Sequence, residues 1–230
     1  MKRLAVCLAL AAAGAAPCIG SGQSGQTEKI EFSNCQSASV VSPNGRWVLE
    51  AKFILSACPL TAKITKPTAE ELTAAKSGNE WGVSLFLESV SDRNRRRVPF
   101  EKYEDGNANG YEGQAAWSPS SAAFFVNNHS ASDRTDAAFF LADSLRMISI
   151  DDAIFRSDPS TRRYRNEHRY FRALRWLDDH TTLVQLCGHT SEYPAQQFDF
   201  RYRVGLDGQA QRISGKVQPV TSADYKLECQ

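Results

Sequence analysis

The chain of 230 residues has no excess of either charge: 27 Lys and Arg stand against 26 Asp and Glu, and Lys2 and Arg3 sit at the very start. That balance supplies no bulk attraction for a polyanion, so nucleic acid is not an expected partner. Nowhere does an apolar run reach the roughly 20 residues that a membrane helix needs, so no membrane span is expected. There is no Cys-x-x-Cys, which removes thioredoxin-like redox and zinc-knuckle chemistry. Gly-x-Ser-x-Gly, Ser-x-x-Lys and His-Glu-x-x-His are also missing, and with them the best-marked hydrolase machineries. No glycine-rich loop prepares a phosphate site, so no cofactor is expected and no residue is assigned as catalytic.

What is present begins with "MKRLAVCLALAAAGAAPC", a basic start, an apolar run and then small residues. This is the layout of a secretory signal. Residues 1–22 are read as signal peptide and linker start, and residues 23–230 as one exported β domain, periplasmic or extracellular. Four of the six cysteines, Cys35, Cys58, Cys187 and Cys229, fall in that domain. An even number in an oxidising compartment reads as two disulfides. A hairpin between Cys35 and Cys58 favours that pairing and leaves Cys187 for Cys229. A Cys35–Cys229 clasp joining the two ends of the domain is the alternative.

The domain repeats one arrangement of strands and turns. "ASVVSPNGRWVLEAKF" places Pro43-Asn44-Gly45 between two strand-prone runs, and "WGVSLFLESV" and "RRRVPFEKY" follow. "GQAAWSPSSAAFFVNNHS" turns at Ser118–Ser121, and "AAFFLAD" and "LRMISI" follow. "YFRALRWLDDHTTLVQLCGHT" turns at Asp178–His180, before "FDFRYRVGLDG" and "AQRISGKVQPV". Polar, Gly- and Pro-bearing turns between β-branched and aromatic runs are hairpin signals. Trp117 and Trp176 occupy equivalent places before their turns, with Val41 in the same place of the first unit.

The strings "VSPNGRWVLE", "WSPSSAAFFV" and "LRWLDDHTTLV" resemble the Trp-Ser-Pro-Asp-Gly-Lys blade motif of TolB-like and WD-repeat-like β-propellers. The resemblance implies a mainly β fold of three four-stranded antiparallel blade-like sheets, over about 38–103, 113–150 and 170–220. Propellers close with four to eight blades. Three units imply an incomplete propeller-like or compact β body, whose open sheet edges could pair two copies as a homodimer. One or two short helices interrupt it. "KPTAEELTAAK" carries a capping box from Thr68 to Glu71 and predicts a helix over about 68–77. "SIDDAIF" predicts one helical turn near Asp151–Phe155, followed by an Arg-rich loop.

Candidate chemistry gathers at two loops. "NNHSASD" and "CGHTSEY" place His129 and His189 at matching positions, and in the propellers this chain resembles such loops share a ligand-bearing face. With Asp133 or Asp136 and with Glu192 they form a nitrogen and carboxylate set of the kind that holds a ligand or a transition metal. His-Ser and His-Thr in a turn also serve simply to cap backbone amides. Ser130, His189 and Asp133 can be drawn as a nucleophile triad, and Asp178 with Asp179 as a carboxylate pair, although both aspartates suit the turn itself. Arg93, Arg95, Arg96 and Arg97, and the run from Arg162 to Arg175 with Tyr164, Tyr170 and Phe171, are basic clusters beside aromatic rings. Such clusters suit anionic surfaces, yet nearby acids balance them.

These residues lead to the expectation of a non-enzymatic binding or interaction module for an unidentified protein or small ligand. The competing expectations are a small hydrolase or metal-dependent enzyme using the His129 and His189 face, and a structural envelope component.

Overall fold

A computed structural model describes residues 29–32, 38–53, 83–99, 113–131, 134–192 and 194–220. Strands β2 (Ala38–Val41), β3 (Trp47–Phe53), β4 (Val83–Ser89) and β5 (Arg95–Arg97) form one antiparallel sheet in that order. The second sheet has nine strands: β1 (Lys29–Phe32), β6 (Gly113–Trp117), β7 (Ala123–Ala131), β8 (Arg134–Leu141), β9 (Met147–Ser149), β10 (His168–Trp176), β11 (Thr181–His189), β12 (Gln196–Gly205) and β13 (Ala210–Pro219). Their order is β1-β6-β7-β8-β10-β11-β12-β13, with β9 pairing from β8. Neither sheet closes on itself. The fold is mainly β, but the expected three separate four-stranded sheets are replaced by one sheet of nine strands and one of four.

The reason lies along β8. One of its edges is bonded to β7 along its length. Its other edge is divided, because β9 covers only Ala138–Phe140. An uncovered strand edge leaves backbone donors and acceptors without partners. β10 takes part of that edge in a two-pair parallel ladder, Arg134 opposite Arg169 and Thr135 opposite Tyr170. This ladder is the only parallel pairing among the described strands, and it merges what would otherwise be two antiparallel meanders.

A parallel neighbour needs a crossover, and the chain supplies one. Helix α1 (Ile150–Ser157) starts at Ser149, whose hydroxyl accepts the Asp152 N–H at 3.1 Å. Its last turn ends on Asp158, which caps a following 3₁₀ helix over Pro159–Tyr164 by accepting the Ser160 N–H. The single helical turn and Arg-rich loop read from the sequence are therefore a full α-helix and a capped 3₁₀ helix. Two side chains close the second cap, Asp158 and Ser160, which are too near in sequence to show a helical period. The helix expected at about 68–77 and the end of the fourth strand of the first unit lie outside the described residues.

β6, β7 and β8 form the middle layer, buried on both faces. The two "AAFF" strings pair in register, Phe124 with Phe140 and Phe125 with Phe139. Alternation then sends the members of each string to opposite cores. Phe124, Phe140, Trp117 and Val126 pack against Val40, Leu49, Leu85 and Leu87 of the four-stranded sheet. Phe125 and Phe139 pack with Trp176, Phe171 and the helical residues Ile150, Ile154 and Phe155. Full burial of one such phenylalanine contributes about 1.5–3 kcal/mol. Trp117 and Trp176 are 1% and 8% exposed, whereas Val41 at the corresponding turn is 52% exposed.

The turns are tied to one another. Ser42 and Ser118 close theirs alike, each hydroxyl accepting the N–H five residues on, from Trp47 at 3.0 Å and Ala123 at 3.2 Å. The Asn44 N–H donates to Ser121 Oγ at 3.0 Å, joining the first turn to the second. The Ser120 N–H donates to Asp179 Oδ1 at 2.6 Å, joining the second to the third. Asp178 accepts the His180 N–H at 2.8 Å inside the third turn, a bond that holds its carboxyl below the ordinary range. Asp178 and Asp179 therefore serve architecture.

Candidate functional site

The two histidines singled out in the sequence lie near the same end of the large sheet, but each has a different partner. His129 Nδ1 is 2.9 Å from Thr135 Oγ1, and its ring stacks on Tyr170 with centroids 6.3 Å apart. His189 faces His168, its register partner, with ring centroids 4.4 Å apart. Gly188 permits that approach. A Cβ there would come within 1.9 Å of the His168 carbonyl oxygen, so only a residue without a side chain fits. Glu192 is exposed, and Asp133 lies outside the described residues. Among the described residues no three His, Cys, Asp or Glu side chains gather as a metal set.

The basic clusters are engaged with the protein. Arg96 donates to the backbone oxygens of Asp143 at 2.7 Å and Ala142 at 2.8 Å, tying the small sheet to the turn after β8. Arg95 pairs with Glu50 at 2.8 Å and lies over Phe86, and Arg93 pairs with Glu88 at 3.1 Å. Arg162 donates to the Phe155 carbonyl, and Arg163 to the Tyr164 hydroxyl.

A polar pocket lies where β8 changes partners. Between Thr135, bonded to β10, and Ala138, bonded to β9, no strand among the described residues covers the β8 edge at Asp136 and Ala137. The first turn of α1 fills that gap. Its residues Ile150, Ala153 and Ile154 are buried in the core, and Asp151 reaches sideways to accept the Ala137 N–H at 3.4 Å. The Asp136 carboxyl lines the same pocket. Arg134 Nε donates to Asp136 Oδ1 at 2.9 Å, and the buried Arg169 stands opposite Arg134 in the parallel ladder. Arg165 pairs with Asp152 at 3.2 Å. These groups line a cavity of about 220 Å³, room for about seven waters at liquid density.

Burial, reinforced by the charge of Asp136 and the hydrogen bond to it, holds the Asp151 carboxyl well above the ordinary carboxylate range. The Ala137 N–H and the Arg169 guanidinium pull the other way without prevailing. Sequence reading offers Asp136 only as an alternative to Asp133 beside the histidines and Arg169 only as part of a basic run, and it gives Arg134 and Asp151 no place in a site. The "SIDD" string signals a helix start, but nothing local shows that it lands on a gap in a strand edge 14 residues upstream.

No protein-family model matches the chain, and no curated protein matches it.

Proposed function

We propose that this protein is an exported, non-enzymatic binding module, and that its ligand is a small polar molecule held in the pocket between β8, β10 and the start of α1. The observation that carries the reading is the cavity itself, in which Arg134, Arg165 and Arg169 stand among Asp136, Asp151 and Asp152. Such a lining offers donors and acceptors at fixed positions, the few convergent polar groups that orient a ligand.

In this reading β2–β5, β6–β9 and β10–β13 are three blade-like units, and the pocket falls at the junction of the second and third. Export is supported by the basic-then-apolar N-terminal segment and by a disulfide at Cys187, a bond that persists in oxidising compartments. Nitrogen-15 NMR of the exported protein with a panel of small acids, amines and sugars tests the binding reading. Shifts at the Ala137, Ser149 and Asp151 amides are the expected result. Shifts confined to other surfaces, or none with any compound, would overturn it.

A further inference from the structure

The last two arginines of the basic run, Arg172 and Arg175, lie on β10 and face away from the pocket. Phe171, Val184, Leu186 and Phe200 pack with the α1 residues in one core, so alternation along each strand sends Arg172, Gln185 and Arg201 to the other face of the sheet. These three stand in one row across β10, β11 and β12: Arg172 is opposite Gln185, and Gln185 is opposite Arg201. Past the bulge between Ala173 and Arg175 the row repeats, with Arg175 opposite Leu183 and Leu183 opposite Arg203. Two strand spacings, about 10 Å, separate the members of each arginine pair. The face is thus a shallow trough, with arginines along β10 and β12 on either side and the uncharged strand β11, "TTLVQLCGH", as its floor. Arg175 and Arg203 are exposed and Leu183 between them is half-buried, so this end of the trough is open to solvent.

The acids that could neutralise it are committed elsewhere. Asp199 is the single acid on β10, β11, β12 and β13. Its Oδ1 accepts from Gln185 Nε2 at 3.1 Å and lies 3.7 Å from Arg201. Asp178, Asp179 and Asp207, in the turns beyond the open end, each accept a backbone N–H, from His180, Ser120 and Gln209. The charge balance of the whole chain therefore conceals a local excess of positive charge on this face.

We propose that the trough binds a linear anionic polysaccharide, laid along β11 with its carboxylate or sulfate groups reaching the arginines on both sides. A guanidinium offers such oxyanions two N–H donors in a fixed plane. The charge runs in two lines astride a neutral strand, which suits a chain better than a flat membrane surface. This face lies on the opposite side of the sheet from the pocket, and its role does not depend on what the pocket binds.

Isothermal titration calorimetry of the whole exported protein tests this. Polygalacturonate and dextran sulfate serve as carboxylate and sulfate probes, uncharged dextran as the blank, and phosphatidylglycerol vesicles as a flat anionic surface. One or both anionic polymers should bind, dextran should not, and affinity should fall as salt screens the contacts. Arg175→Gln and Arg203→Gln should each weaken binding by about two- to fivefold, the range for exposed charge pairs, with the denaturation midpoint unchanged. Arg203→Lys keeps the charge and should retain more of the affinity than Arg203→Gln. Arg93→Gln, at an exposed arginine between β4 and β5, should leave binding unchanged. No binding of either polymer, tighter binding to the vesicles, or an equal loss on Arg93→Gln would overturn the proposal.

Discussion

The Asn127 carboxamide takes the place of a strand beside Ala173: its Oδ1 accepts the Ala173 N–H at 2.8 Å, and its Nδ2 donates to the Ala173 carbonyl at 2.9 Å. The two residues are 46 positions apart, on β7 and β10. The parallel ladder between β8 and β10 ends at Tyr170, and three residues later this side chain satisfies both backbone groups of β10. Asn127 is buried, so no water replaces it when it is lost. Asn127→Ala should cost about 2–3 kcal/mol in urea denaturation, the penalty for a buried donor and acceptor left unmade. The Ala173 amide should also exchange faster with solvent. Unchanged stability would show that the clamp contributes nothing.

Asp151 is held above its ordinary range, so the folded chain binds that proton more tightly than the unfolded chain does. The stability this confers is complete below the unfolded carboxyl value of about 3.9 and is lost as pH rises through the folded one. Within that window the wild type should lose up to about 1.4 kcal/mol per pH unit relative to Asp151→Asn. Denaturation midpoints of the two proteins across a pH series give the difference directly. A constant difference would mean that Asp151 is already ionised in the folded protein.

The Tyr202 hydroxyl donates to Asp158 Oδ2 at 2.8 Å and accepts from Arg212 Nε at 3.3 Å. Burial and the Asp158 bond push the Tyr202 phenol up to about 12. Ultraviolet titration should show one tyrosine that ionises only at about pH 12, and Tyr202→Phe should remove it. For Asp158, burial works upward, but bonds from Ser160 and Tyr202 and the Arg212 charge outweigh it and hold the carboxyl below its ordinary range. Its contribution is therefore present above the unfolded value and lost in acid. Tyr202→Phe should cost about 1–3 kcal/mol, as for other hydrogen bonds to charged groups.

Gly188→Ala should destabilise the junction of β10 and β11 by about 1–3 kcal/mol or more, because the added methyl meets a backbone carbonyl, which has little freedom to yield. The His168 and His189 ring resonances should shift in any protein that still folds. Trp117→Ala should cost about 3–5 kcal/mol, as for other large aromatic truncations in a packed core. A stable Gly188→Ala protein with unshifted rings would show that the glycine is not what sets this spacing.

Cys187 is buried on β11, with Asp199 of β12 beside it in register, and the other cysteines lie outside the described residues. The proposed partner of Cys187 is Cys229, which would fasten the C-terminal tail to the large sheet. Mass spectrometry of an unreduced digest should return that linked peptide. A peptide joining Cys35 to Cys229 would instead support the clasp between the ends of the domain.

Local sequence determined the strands and the turns. β-branched and aromatic runs favour extended backbone, and Ser, Pro, Asn, Asp and Gly favour the turns between them. Both are near-neighbour effects and can be read in a window of ten residues. The repeated turn proved to be architectural, its serines and Asp179 bonded from one turn to the next. The merging of the sheets and the pocket were decided only by the tertiary structure. β9 is three residues long and β8 is eight, so an edge remains open. A helix capped by Ser149 returns the chain to that edge, and Asp136, Asp151 and Arg169 meet there. No pattern in the sequence spaces those three residues, because what brings them together is the length of edge that one strand leaves for another.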